Sequence, residues 1–435
     1  MSFVHFDEGK KAAMGHVKRA LSDLPAIERA LVVADLFGNL RLVLWLPPEL
    51  FERVQARLRS GLESGCGLWW SGEILNVIEA KESERFLWEH AWEIARRDPD
   101  LDRLRVLDRH RNRTAWFTEL PDTLWTAPED GAPVVVFYSF KGGVGRSTAL
   151  ASFAIRRARY GERVVVVDFD LDAPGVGRLL AADDKGETSH WGTVDFLLER
   201  SHGAVPLSDY YHPCRRVAGK GDIIVFPAGR IDGEYADKLA RVDFDQMPDD
   251  ANSSVLNLLK DIQADLKPKW ILLDARTGVS EPAGYLLSGL AHLHALFGTT
   301  SEQSWQGLNV VIDKLGRHRV LAGRPQAECV LVQALVPAHV EASRYAIEAF
   351  TERARSTFTD LYYAEEPEDP SDDRFWDVRD LDNEDAPHVP VPIVYEERLV
   401  HFRDIVDVAD LLAESAAYRT LEERIAGRFE QETES

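Results

Sequence analysis

The spacing of apolar residues changes character about a third of the way along this chain. Near the start, Ala30 to Asp35 and Leu40 to Leu46 are short apolar runs flanking Phe37-Gly38-Asn39, a pattern that predicts two strands joined by a hairpin turn. After Pro47-Pro48, the residues Leu50, Phe51, Val54, Leu58 and Leu62 recur at helical spacing. Glu82 to Arg97 repeats that spacing with Phe86, Leu87, Trp88, Trp92 and Ile94, aromatics expected in a core. From Val134 onward the runs lose their alternation. VVVF at 134–137, RVVVVDFD at 163–170 and KWILLDARTG at 269–278 suit strands buried on both faces of a parallel sheet. Between the first two, Ser147 to Tyr160 carries helical periodicity until Gly161 stops it, and Ile405 to Ile425 reads as a late amphipathic helix. The predicted architecture is a doubly wound, mostly parallel α/β sheet over residues 131–435, preceded by a small α+β module over residues 1–130. The segment Thr123 to Ala132, rich in Pro, Glu, Asp and Gly, is the predicted linker. Residues near 181–220 form an insertion, and an acidic, proline-bearing stretch near 365–390 reads as a solvated loop or a docking strip.

The segment SFKGGVGRST joins the first buried strand to the first helix of the larger region. Gly142, Gly143 and Gly145 remove side chains where successive backbone N–H groups turn inward around a phosphate at a helix N-terminus. The helix dipole favours the same anion. Val144, Arg146, Ser147 and Thr148 complete the predicted phosphate cradle, and the Ser147 hydroxyl stands where it can ligate Mg²⁺. This is a P-loop, with arginine where lysine is usual. Arginine keeps the charge and can fork onto two oxygens, but it is larger and planar.

With Lys141 ahead of the glycines, KGGVGR resembles the deviant Walker A motif of the ParA/MinD ATPases. The resemblance implies that Lys141 reaches the nucleotide of a partner subunit in a sandwich dimer, and that Arg146 binds phosphate on its own. RVVVVDFD matches the family's second strand and switch I, implying that Asp170 orients the attacking water while Asp168 supports Mg²⁺. GDIIVFPAG matches its strand and turn, and KWILLDARTGVSEPAG its Walker B and switch II. That match implies Asp274 on the Mg²⁺ shell and Gly278 near the γ-phosphate. TTSEQSWQGL at 299–308 and VLVQALVP fall where the fold places its last strands and adenine contacts, with Gln333 and Pro337 as candidates. The implied function is a slow ATPase that binds ATP and Mg²⁺ and forms a nucleotide-dependent homodimer controlling a protein partner. Members with this arginine variant resemble those encoded beside effector or protease modules in bacterial conflict (antiphage defence) systems. Two alternatives stand beside it: a non-hydrolysing nucleotide sensor or adaptor, and a bacterial tyrosine kinase, which the lone Tyr418 of the last stretch disfavours.

Composition narrows the setting. Of 435 residues, 45% are hydrophobic and 29% charged, enough for two or three cores. Cys66, Cys214 and Cys329 lie far apart without a CxxC, which suits a reducing cytoplasm and offers no iron–sulfur ligand pattern. No apolar run approaches a membrane span, and the late helix lacks a basic membrane-binding face. The net charge of −22 disfavours non-specific DNA binding. Against that charge, Arg96, Arg97, Arg103, Arg105, Arg109, Arg111 and Arg113 form a local basic cluster, read as intramolecular pairing in preference to a nucleic-acid site. His292 and His294 read as packing residues, Asp172 as a cap, and Arg276 and Glu281 as either γ-phosphate or partner ligands or surface ion pairs.

Overall fold

The computed structural model describes residues 4–110, 114–117, 131–242, 244, 253–365 and 375–430. The chain divides into two compact units, Met1–Asn112 and Arg113–Ser435.

In the first unit, β1 (Arg29–Ala34) and β2 (Leu40–Trp45) form the expected antiparallel hairpin. Asp35 organises its turn by accepting from the backbone N–H of Phe37 and Asn39, each at 2.9 Å, and Gly38 takes φ 87. With β3 (Trp70–Asn76), β4 (Arg96–Arg97) and β5 (Leu104–Asp108) the sheet runs in the order β3-β2-β1-β5-β4. The helices Phe6–Asp23 and Pro48–Cys66 contribute Val17, Leu21, Val54, Leu58 and Leu62 to one core with Val32, Leu42 and Leu44. The helix Glu82–Ile94 departs from expectation. Only Ala91 and Trp92 are buried on it, whereas Phe86, Leu87 and Ile94 are 72%, 63% and 61% exposed. The stripe formed by Trp88, Ala91, Trp92 and Ala95 packs with Leu31, Val33, Val43 and Trp45 of the sheet, and the other apolar side chains fall on the opposite side of the helix. The helix also stops before Arg96, because Arg96 and Arg97 pair with Val106 and Arg105 as a strand.

Two of the cluster's five described arginines, Arg103 and Arg105, are spent inside this unit, whereas Arg96, Arg97 and Arg109 are exposed. Arg103 donates to the carbonyls of Leu21 and Ile27, and Arg105 donates to the Trp92 carbonyl while lying over its ring. Arg111 and Arg113 lie outside the described residues.

Among the described residues the second unit is built on eight strands: β6 (Val134–Ser139), β7 (Arg163–Phe169), β8 (His212–Pro213), β9 (Asp222–Phe226), β10 (Trp270–Ala275), β11 (Leu293–Gly298), β12 (Cys329–Val336) and β13 (Val391–Val394). Their order is β13-β12-β11-β6-β10-β7-β9-β8, parallel except for the β8 edge. Strand residues divide between two apolar layers: Val134, Val136 and Tyr138 face one, Val135 and Phe137 the other. Burial on both faces explains the unbroken Val and Ile runs. The chain goes outward from β6 to β7 and β9, returns to β10, and then crosses to β11, β12 and β13. The carboxyl ends of β6, β7 and β10 therefore lie side by side at the switch in strand order, the place where such sheets hold ligands.

Several segments differ from the sequence reading. The turn Thr114–Trp116, read as part of the first module, packs into the second unit: Trp116 donates to the Ser280 carbonyl at 2.6 Å and Ser288 to the Ala115 carbonyl at 2.6 Å. The predicted linker lies largely outside the described residues. Residues 299–308 are a loop and the start of the helix Glu302–Leu315, capped by Ser301, not a strand. The single helix expected from Ile405 to Ile425 is two, Ala409–Glu414 and Ala416–Glu430, because Ser415 takes extended backbone at ψ 127. The acidic stretch is partly folded: Trp376 donates to Glu328, and Asp377 is buried, capping the turn Val378–Asp382 and paired with Arg379. Residues 366–374 of it lie outside the described residues.

Candidate functional site

The glycine loop closes directly onto the helix Arg146–Arg159. Gly143 and Gly145 have φ 74 and 83, conformations that side-chain-bearing residues rarely adopt, and a Cβ on either would meet open space. The loop thus borders open space at the N-terminus of a helix of 14 residues. Lys141, Gly142 and Gly143 are exposed, and Val144 is buried beneath them.

Sheet register brings the carboxylates to this loop. Asp274 on β10 is the Cα partner of Asp168 on β7 and of Phe137 on β6. Ser147 donates its hydroxyl hydrogen to Asp274 Oδ2 at 2.6 Å. Arg146, in the same first turn, donates from Nε to Asp274 Oδ1 at 2.6 Å and from Nη2 to Asp170 Oδ2 at 3.0 Å. Four of the predicted residues, Arg146, Ser147, Asp170 and Asp274, therefore meet in one hydrogen-bonded cluster, while the Arg146 Nη1 is buried without a partner. Burial works against the Arg146 charge, and Asp274 and Asp170 more than offset it, so the guanidinium is held more firmly protonated than usual. Burial raises the carboxyl of Asp274, opposed by Arg146 and Ser147.

Asp168 has a different job. Its Oδ1 accepts from the Asp170 amide at 3.1 Å, and its Oδ2 accepts from the Gly175 and Gly177 amides at 3.2 and 3.4 Å. It anchors the loop that carries Asp170. Burial, with the neighbouring Asp274 carboxylate adding, pushes the Asp168 carboxyl upward.

The Gly278 turn, at φ 68, is tied to the glycine-loop strand because Tyr138 donates to its carbonyl at 3.1 Å. Arg276 pairs with Asp172, the ion-pair alternative offered for Arg276, and the pair joins the loop after β7 to the loop after β10; Asp172 was read as a cap. Tyr138 is a part of the site that sequence reasoning missed, since it sits in an apolar run and gives no polar signal of its own. His292 and His294 pack as expected. His292 Nδ1 accepts from the Val134 amide at 2.9 Å, and His294 is fully buried in β11.

The two candidate adenine contacts take no part in that hydrogen-bonded cluster. Gln333 is buried, and its amide donates to the Ala346 carbonyl at 2.9 Å, tying β12 to the helix Val340–Leu361. Pro337 is exposed at the end of β12, beside Ala338, Val340, Ser343 and Ile347 around a concavity of about 470 Å³.

A Mg²⁺ ion fits this donor set in one way. Among the described residues, no three His, Cys, Asp or Glu side chains gather as a metal-binding group. Ser147 and Asp274 together offer one hydroxyl and one carboxylate, the small protein contribution typical of Mg²⁺ sites completed by phosphate oxygens and water.

No protein-family model matches the chain. Over 52 residues, 12% of this chain and 20% of the relative's length, it is 42% identical to a cytosolic Fe–S cluster assembly factor NUBP2 homolog of Trichoplax adhaerens. The chain thus matches only about a fifth of that relative. Solved structures similar to it include the cell-division ATPase MinD of Pyrococcus furiosus, at 20% identity and TM-score 0.38, covering 68% of this chain and 99% of that one. MinD of Aquifex aeolicus gives 15% identity and TM-score 0.41, with 68% and 97% covered. A plasmid partition protein of Borrelia burgdorferi B31 bound to AMPPNP gives 14% and 0.41, with 68% and 99% covered. The described residues contain no helix long and apolar enough to cross a membrane.

Proposed function

We propose that this protein binds ATP with Mg²⁺, hydrolyses it slowly, and uses the nucleotide to switch a homodimer that acts on a protein partner. The observation that carries the reading is the meeting of Arg146, Ser147, Asp170 and Asp274 beneath a glycine loop whose Gly143 and Gly145 take positive φ. Phosphoryl transfer to water asks for positioning and charge neutralisation, with little covalent work for the protein. In this reading the loop amides and Arg146 bind the phosphates, Ser147 and Asp274 hold the metal, and Asp170 orients the water. Bound Mg²⁺ would supply neutralisation of phosphate charge. Lys141, exposed ahead of the glycines, is free to reach a nucleotide in a second copy of the chain. The acidic balance supports a protein in preference to DNA as the partner.

A non-hydrolysing sensor is the second reading, favoured by one contact: Asp170, the residue assigned to the water, is engaged by Arg146. The experiment that separates the two is phosphate release by the wild type and by Asp170→Ala. The ATPase reading expects turnover in the wild type and its loss, with ATP binding retained, in the variant. Equal turnover in both excludes the role of Asp170, and no turnover in either leaves the sensor.

A further inference from the structure

The arginine that replaces the usual lysine does more here than keep a positive charge. Both oxygens of Asp274 are occupied, one by Arg146 Nε at 2.6 Å and the other by the Ser147 hydroxyl at 2.6 Å. The same guanidinium reaches Asp170 at 3.0 Å, so one side chain bridges the strand end of β10 and the loop after β7. Its planar fork allows this; an ammonium is a point charge without the fixed geometry to span two carboxylates. The guanidinium is only 7% exposed, yet Nη1 has no acceptor. An unpaired buried donor on a charged group is costly, and it marks an interaction that the protein part of the site leaves incomplete.

We propose that Arg146 is a two-position residue: it serves as the internal counter-cation of Asp274 and Asp170, and exchanges those carboxylates for phosphate oxygens when nucleotide and metal enter. The proposal rests on the nucleotide-binding reading above and adds a regulatory consequence to it. Arg146 and Mg²⁺ compete for Asp274. Metal-free nucleotide must pull the arginine away from two carboxylates without replacing its charge, so binding without metal is suppressed. With Mg²⁺ present, Asp274 would pass from the arginine to the metal, so that its charge stays balanced as the arginine leaves. The arginine variant therefore couples nucleotide binding to metal more tightly than a lysine would, and it leaves Asp170 free only in the loaded state.

Two measurements test this in the full-length chain. The first is a stability cycle in nucleotide-free, metal-free buffer with Arg146→Met, Asp274→Asn and the double variant. The ion cluster predicts that the double variant loses clearly less than the sum of the single losses, and additive losses overturn it. The second is calorimetric titration of ATP in excess chelator. Releasing the arginine by Asp274→Asn or Asp170→Asn, or replacing it by Arg146→Lys, should tighten metal-free ATP binding by roughly 10-fold, the scale of one charge-assisted hydrogen bond. Arg146→Lys keeps both carboxylates, so a gain there cannot come from lost repulsion of the phosphates; no gain in Arg146→Lys, or none in the two carboxylate variants, overturns the exchange. If the wild type binds no ATP even with Mg²⁺, the nucleotide reading fails, while the stability cycle still decides whether the ion cluster exists.

Discussion

Glu422 gives the sharpest test of how the site is held from behind. The helix that begins at the glycine loop carries Arg156 and Arg157 on its far half, and both reach Glu422 on the last helix, through Arg156 Nε at 3.0 Å and Arg157 Nη1 at 2.9 Å. The Glu422 side chain is 5% exposed and Arg156 4%, so this is an ion cluster removed from water. Arg157 keeps a second carboxylate, Glu162, at 2.7 Å, and lies over the Trp270 ring. Arg156 would be left with the Ala413 carbonyl and the Tyr160 hydroxyl. Glu422→Gln preserves volume and removes only the charge. Breaking a buried pair from one side costs about 3–5 kcal/mol, because an uncompensated charge stays buried. For a unit of this size the unfolding entropy converts that to a Tm lower by roughly 5–7 °C. Scanning calorimetry reads it directly, and the double variant Arg156→Met with Glu422→Gln should lose less than the two single losses added together. A Glu422→Gln midpoint within about 1 °C of wild type would refute the reasoning and reduce the cluster to a solvated ion pair.

Two further outcomes follow from the same kind of argument. His294 is pushed down to about 4 by burial, so the folded state resists a proton that the unfolded chain accepts near 6.5. The stability it protects is present above about pH 6.5 and falls away toward pH 4, by up to roughly 3 kcal/mol, and His294→Gln should flatten that acid limb in denaturant titrations. An unchanged limb would assign the acid loss to other groups. Lys141→Ala should abolish ATP-induced dimerisation in light scattering while the monomer still binds ATP; normal dimerisation in that variant rules out a lysine acting across the dimer.

The larger sheet was legible because residues buried on both faces leave unbroken Val and Ile runs, and because glycine spacing with Ser147 is chemically specific. Asp274 was placed by the likeness of KWILLDARTGVSEPAG to the Walker B and switch II segment of the ParA/MinD ATPases. What could not be read were contacts set by register and side-chain reach. Nothing in the sequence around Arg146 says that it will choose Asp274 and Asp170, or that Arg276 will choose Asp172, since those partners arrive from other strands. The exposed Phe86, Leu87 and Ile94 misled in the opposite direction: helical spacing is satisfied by either face, and only the sheet decides which is covered. The break at Ser415 was invisible because the apolar stripe continues through it.

The central claim is that Ser147 and Asp274 hold the metal of a bound nucleotide. Calorimetric titration with ATP, with and without Mg²⁺, tests it most directly in the wild type, Ser147→Ala and Asp274→Ala. The account predicts a Mg²⁺-dependent gain in affinity in the wild type that shrinks by about 10-fold or more in each variant, the scale of losing one ligand to a charged centre. The same affinity and the same Mg²⁺ dependence in all three proteins would contradict it.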